Sequence, residues 1–268
     1  MIRIFLRIIR DKKTSIIVYS VAGILLLWMY VAMFPSIRDQ AESLSELMQS
    51  YPEGFLEAFG IDEGFNFDRL ENFVSIEHFS LIWPIMVIFM LVSFAGAGIT
   101  GEIEKGTVEI PLSRPVSRIG IFFGRYLAGL FILLIFTIFS VFAVVPLANL
   151  HAIDYVFENY TTFAILGFLF GWAIFSLAMM FSAFFSEKSR VYMFIGSLLI
   201  TMYVLNLIAV LKESFQDLKF LSFFYYYDYK SAVVDNTINS EAIWVFAAVI
   251  IFCTFIGAIW YKNRDIAV

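Results

Sequence analysis

The sequence predicts an all-α membrane protein with six spanning helices, and three observations carry that prediction. Sixty-one per cent of the 268 residues are apolar and the mean hydropathy is +0.85, whereas a soluble domain is nearer about 45–50% apolar. Charged residues make up only 15% and gather in a few segments. Between those segments the chain runs apolar for about 20 residues at a time, the length that carries a helix across a ~30 Å hydrocarbon core at ~1.5 Å per residue. The runs are continuous and do not alternate, so the spans are helices and not barrel strands.

The spans are expected at residues 15–34, 79–100, 119–147, 162–185, 191–211 and 242–261. The first run has no small-x-small cleavage site and reads as a retained span, not a signal peptide. Arg125 is the exception to charge-free interiors. It lies about a turn and a half into the third run, where snorkelling to the near interface is expected.

Orientation follows from Lys and Arg. With the N-terminus in the cytoplasm, thirteen basic residues are cytoplasmic, including Arg3, Arg7, Arg10, Lys105, Arg118 and Lys188, and five face outward: Arg38, Arg69, Lys212, Lys219 and Lys230. Both termini are therefore expected inside. Residues 1–13 form an expected interfacial (elbow) helix separate from the first span. Arg3, Arg7 and Arg10 share one face, and Ile2, Phe5, Leu6 and Ile9 share the other. A plain positive-inside anchor explains the charges but not their spacing.

The segments expected outside, 35–77 and 212–241, are acidic and aromatic respectively. In the first, Ile37, Ala41, Leu44, Leu47 and Met48 keep helical spacing, and a second short helix over 52–59 is expected to end at Gly60. Its ten carboxylates fit a solvated cap or an acidic vestibule for cationic solutes. In the second, Phe220, Phe223, Phe224, Tyr225, Tyr226, Tyr227 and Tyr229 fit an interfacial aromatic belt first, or short helices dipping back into the membrane. Gly167 and Gly171 form GxxxG, and Gly120 with Gly124 and the run Ala95-Gly96-Ala97-Gly98 add small faces that suit helix packing, the last also a hinge. Asn206, alone among apolar neighbours, is expected to bond between helices.

The densest polar stretch expected on the cytoplasmic side is residues 101–118. Thr107 is placed to N-cap a short helix from Val108 with Glu109 in its first turn, Pro115 stops it, and Ser117 starts the next helix. Such a helix, parallel to the membrane and flanked by both signs of charge, suits docking onto a cytoplasmic partner.

This stretch, E-x-E-x-G-T-x-E-x-x-L-S-R-P-V-S-R, closely resembles the coupling-helix loop of ABC type-2 exporter permeases, bacterial drug and peptide exporters among them. The resemblance rests on Glu102, Glu104, Gly106, Thr107, Glu109, Ser113, Arg114, Pro115 and Arg118, with Lys105 between them. Pro111 departs from the aliphatic residue usual there, which shifts the expected helix slightly. The layout of elbow helix, six spans and outer segments is also similar to that family, so the resemblance implies a type V ABC exporter-like transmembrane domain. Glu187, Lys188 and Arg190 correspond to its second cytoplasmic connection.

The resemblance implies a bacterial cytoplasmic-membrane permease. It works beside two copies of a separate ATPase subunit and a second permease copy, identical or, less favoured, non-identical. ATP and Mg reside on the ATPase, because G-x-x-x-x-G-K-[ST] is absent from this chain. Cargo is expected to pass between the copies along the second and fifth spans, and their Phe, Met and Leu suit a hydrophobic or amphipathic peptide (antimicrobial peptides included), drug or lipid. No cofactor, metal site, catalytic residue or nucleic-acid partner is expected; the two histidines are far apart and Cys253 is single. The alternative is a polytopic sensor or assembly factor outside the ABC class.

Orientation is directly testable. A cysteine placed at Glu46 is expected to react with a membrane-impermeant thiol reagent in intact cells. Labelling only after lysis would invert the topology.

Overall fold

The structure, a computed structural model, describes residues 2–41, 43, 67–107 and 116–265. Among these residues there are helices and no strands, and six helices are long and apolar enough to cross a membrane. They are α1 (Ile2–Arg38), α3 (Ile82–Glu104), α4 (Arg118–Phe142) with its short continuation α5 (Val144–Leu150), α6 (Phe157–Phe184), α7 (Lys188–Leu211) and α10 (Ser240–Asn263). The short α2 (Leu70–Val74) and a π-helical turn (Ser75–Phe79) precede α3. A 3-10 helix (Glu213–Leu221), α8 (Phe223–Tyr226) and α9 (Tyr229–Val234) precede α10. Six crossings bring both termini to one end of the bundle, called the near end below.

The helix α6 is the axis of the fold. It is buried over most of its length and packs against α10, α3 and α4, while α1 lies on α4 and α7 lies on α3. The outer two show the pattern of helices covered on one side. In α1 the buried residues are Ser20, Gly23, Leu27, Val31 and Phe34, spaced by three and four. In α7 they are Val191, Ile195, Leu199 and Ala209.

Close approach to α6 depends on missing side chains. A Cβ on Gly167 would lie 2.7 Å from the Trp83 ring, and one on Gly171 would lie 2.8 Å from Leu133 Cδ1. From α4, Gly129 receives the Phe175 ring directly on its backbone. The GxxxG pair is therefore a packing face, as its spacing suggests. Ala95–Gly98 lies within unbroken helix, with the Tyr192 ring seated over Gly96.

Several polar side chains inside the bundle are joined in pairs and small networks, whereas the buried hydroxyls of Ser20, Thr137, Tyr160 and Tyr261 have no partner among the described residues. Trp83 Nε1 donates to Ser140 Oγ at 2.9 Å, bridging α3 and α4. Thr100 and Ser182 join α3 to α6: Thr100 Oγ1 donates to the Ser182 carbonyl at 2.8 Å, and Ser182 Oγ donates to the Ala95 carbonyl at 2.7 Å. The Tyr126 hydroxyl accepts from Trp172 Nε1 and from Thr254 Oγ1, both at 2.7 Å. It faces Ser176 Oγ at 2.6 Å, whose own proton goes to the Trp172 carbonyl at 2.8 Å, so Tyr126 is the donor of that pair. Half-buried Asn206, expected to bond between helices, has no hydrogen-bond partner among the described residues.

Two expectations are corrected. Residues 1–13 are not a separate element, because α1 runs unbroken from Ile2 to Arg38. No Gly or Pro occurs before Gly23 to stop it, and 37 residues rise ~55 Å, well beyond a ~30 Å core. The aromatic segment is not a lipid-facing belt at its centre either. Tyr227 is buried against Phe170 with ring centroids 4.4 Å apart, and its hydroxyl donates to the Phe79 carbonyl at 3.0 Å. Phe223 is also buried, whereas Phe220 and Leu221 stay exposed. The short helices α8 and α9 thus turn inward and close the far end. The second short helix expected at 52–59 and its cap at Gly60 lie outside the described residues.

The far end also buries ionisable groups. Glu71 accepts from the Val156 N–H at 2.7 Å, just ahead of α6, and lies 3.5 Å from Arg69 Nε. A carboxylate at that position complements the positive end of the helix. His78 is fully buried beside Tyr30 and Phe79, and neither ring nitrogen has a partner. Burial pushes the imidazole down to about 3. Its folded value lies below its unfolded one, so the stability it supports is full above the unfolded value, about 6.5, and falls as the pH drops below it. From pH 7 to 5 this costs about 2 kcal/mol. Half-buried Glu77, raised by desolvation, acts in the opposite sense. Thermal melts of wild type and His78→Phe at both pH values are therefore expected to show the larger loss at pH 5 in the wild type. Equal losses would mean that His78 is accessible to protons.

Candidate coupling site at the near end

The loop after α3 begins with a hydrogen-bonded helix stop. Gly106 N–H donates to the Ile103 carbonyl at 3.0 Å and Thr107 N–H donates to the Glu102 carbonyl at 2.9 Å. This double closure needs a left-handed residue, and Gly106 supplies it with φ +65. Thr107 is therefore tied backward to α3, its hydroxyl 3.4 Å from the Glu102 carbonyl. The helix it was expected to cap lies outside the described residues, as do Glu109, Pro111, Ser113, Arg114 and Pro115. Ser117 does start α4, its Oγ accepting from Gly120 N–H at 3.1 Å.

Glu102 and Glu104 reach two different helices. Glu102 forms an ion pair with Arg125 of α4. This corrects the expectation that Arg125 snorkels: its side chain is 4% exposed and turned inward. Gly98, one turn before Glu102, leaves the Arg125 stem an ordinary contact, 3.7 Å from Cδ to where a Cβ would sit. The pair is uneven, since Glu102 keeps 34% of its side chain exposed and Arg125 Nη1 is buried without a partner. A carboxylate one helix away neutralises a guanidinium that the bilayer otherwise disfavours.

Glu104 caps α7 from a distant part of the chain. Its Oε2 accepts from the Lys188 N–H at 2.9 Å, and Lys188 Nζ stands 4.0 Å from Oε1. Glu187, at the N-cap position itself, makes no cap bond and instead takes Arg190 in a two-point pair, both contacts 3.0 Å. A helix N-terminus has unpaired N–H groups and positive potential, so Glu104 serves as both acceptor and counter-charge. The first loop and the second connection are thereby joined. Arg118 Nη1 donates to the Arg264 carbonyl. Lys105 is exposed and makes no ion pair among the described residues.

Of the residues expected here, the structure thus brings together Glu104 with Lys188, and Glu187 with Arg190. Arg125 and Arg264 were not assigned to the site from sequence. The only signal for Arg125 was a charge inside an apolar run. Arg264 carried no signal beyond its place after the last span.

Along the opposite flank of α3, facing α7, lies a groove of about 610 Å³. Tyr19, Ile85, Phe89, Tyr192, Ile200 and Tyr203 line it, and among the described residues its polar side chains are the tyrosines and Ser93, with no charged side chain in the lining.

Comparison with known families decides what this assembly of helices is. The model of the ABC-2 family transporter protein matches residues 5–266. The chain belongs to the ABC-2 transporter family. A search of curated proteins found no match. The family match takes in all six spans of this ABC-2 transporter and both near-end connections, and it favours transport over a sensor or assembly-factor role.

The Glu102–Arg125 tie yields a stability prediction for the ABC-2 transporter. Glu102→Gln strands a buried guanidinium. It is expected to cost about 2 kcal/mol, below the roughly 3–5 kcal/mol of a fully buried pair because Glu102 is partly exposed. Adding Arg125→Met is expected to restore part of the loss in detergent melts. A double variant less stable than the single one would mean the charges do not act on each other.

Proposed function

We propose that this ABC-2 transporter is the permease half of an ATP-driven exporter in a bacterial cytoplasmic membrane, with both termini and the near end in the cytoplasm. Its motor is a separate ATPase subunit, one for each of two permease copies, identical copies being favoured. The ATPase docks on the 101–118 loop and the second connection, and ATP with Mg stays on that subunit. The observation that carries this reading is the Glu104 cap on α7. A push on the loop after α3 reaches the first turn of α7 through one carboxylate, and reaches α4 through Glu102 and Arg125.

Two of the helices so connected, α3 and α7, border the apolar groove. A groove with aromatic walls, hydroxyls and no charge suits a hydrophobic or amphipathic cargo, such as a peptide, drug or lipid, and disfavours a free ion. Two copies meeting along α3 and α7 enclose such grooves between them. The exposed apolar faces of these helices, Phe89, Met193 and Ile200 among them, suit that contact.

Co-expression with a candidate ATPase subunit tests the reading. The wild-type chain is expected to co-purify with the ATPase and to support ATP-driven export, and Glu104→Ala and Arg114→Ala are each expected to lose at least tenfold in export. Unchanged assembly and export in both variants would overturn it.

A further inference from the structure

Arg264 is the first residue past α10, with an extended backbone (φ −68, ψ 129) and its N–H still bonded to the Trp260 carbonyl at 2.9 Å. From there its side chain turns across the end of α6. Nη1 donates to the Ala183 carbonyl at 2.7 Å and to the Phe185 carbonyl at 2.9 Å, and Nη2 donates to Ser186 Oγ at 2.6 Å. The last carbonyls of a helix have no partners within it and carry its negative end, so a guanidinium there is matched in both hydrogen bonding and charge. No carboxylate pairs with Arg264 among the described residues.

The backbone of the same residue is occupied too. Its carbonyl accepts from Nη1 of Arg118, the residue where the 101–118 loop enters α4. Arg264 therefore grips the second connection with its side chain and the end of the first loop with its main chain. On the other flank the two connections are already joined by Glu104 and Lys188. The near end is thus a closed ring of ties, and Arg264 is the only described residue in it that engages both connections at once from outside either. Three acceptors spread over two backbone positions and a hydroxyl fit the planar fork of arginine; a lysine ammonium is a single point.

We infer that Arg264 is a positioning residue for ATP coupling: it holds Arg118, where the first loop enters α4, in fixed register with the second connection, so that the two present one surface to the ATPase. This rests on the docking role proposed above, and it adds a residue that was not assigned to the site from sequence and that reaches it through Arg118 and Ser186.

The test uses spin labels on cysteines at Lys105 and Arg190, both exposed, in full-length chain carrying Cys253→Ala and reconstituted in nanodiscs. Pulsed electron resonance is expected to give one narrow distance in the otherwise native chain, a broad distribution in Arg264→Gln, and an intermediate one in Arg264→Lys. Affinity for the co-expressed ATPase, measured with the unlabelled chain that keeps Lys105 and Arg190, is expected to fall about tenfold in Arg264→Gln, or about 1.4 kcal/mol. A residue that only caps α6 lowers the melting temperature and leaves distance and affinity native; that outcome overturns the inference. Should Arg264→Gln fail to insert, Arg264→Lys is judged by the same two readouts. If the ATPase fails to bind even the native chain, the functional reading fails, and the label distances still decide whether Arg264 sets the register.

Discussion

Around α6, aromatic and branched side chains lie directly on the backbones of glycines: Trp83 over Gly167, Leu133 against Gly171, and Phe175 over Gly129. Lipid chains are as apolar as leucine, so burying apolar surface gives spanning helices little reason to associate. What distinguishes one helix neighbour from another is fit, and at these three contacts a Cβ would find no room. They place α3 and α4 on two sides of α6. The Tyr126 network then adds α10, and α1 and α7 take the remaining flanks. The sites at the two ends inherit their geometry from this arrangement.

With the interior filled, charged groups have room only where helices end, and the two ends use that room differently. At the far end, α8 and α9 fold inward and aromatic rings seal the bundle, enclosing His78 with both nitrogens unpaired. At the near end the charges bind one another and the termini of neighbouring helices. Glu102 takes Arg125, Glu104 caps α7, and Arg264 caps α6. Each of these ties crosses between sequence-distant segments. The near end therefore behaves as one connected surface even though it is assembled from separate connections.

How much of this was legible follows from where each constraint resides. The six spans were readable because the bilayer imposes a length and an apolar composition on each helix separately. The family was readable from the 101–118 stretch because its residues are contiguous. Partnerships across the bundle were not. Snorkelling and pairing both satisfy Arg125, and nothing in its neighbourhood chooses between them; Gly98 and Glu102, one turn apart on another helix, do. Glu104 caps a helix that begins 84 residues later, a distance at which spacing carries no information. The break expected after residue 13 rested on a change in amphipathic pattern, but helix continuity depends on the backbone, and the chain offers no Gly or Pro there. The aromatic run had the composition of an interfacial belt, and only its packing on Phe170 and Phe79 shows that its centre is buried.

The Tyr126 hydroxyl has spent its one proton on Ser176 and its two lone pairs on Trp172 and Thr254. It has no spare valence with which to trade partners during a slide, and no water is at hand deep in a bilayer to stand in for one. The helices α4, α6 and α10 are accordingly fixed to one another as a single block. Among the described residues α7 has no such bond to the three; it is buried along one stripe, borders the groove, and is fastened at its first turn by the Glu104 carboxylate, so its attachment to the rest is concentrated at one point.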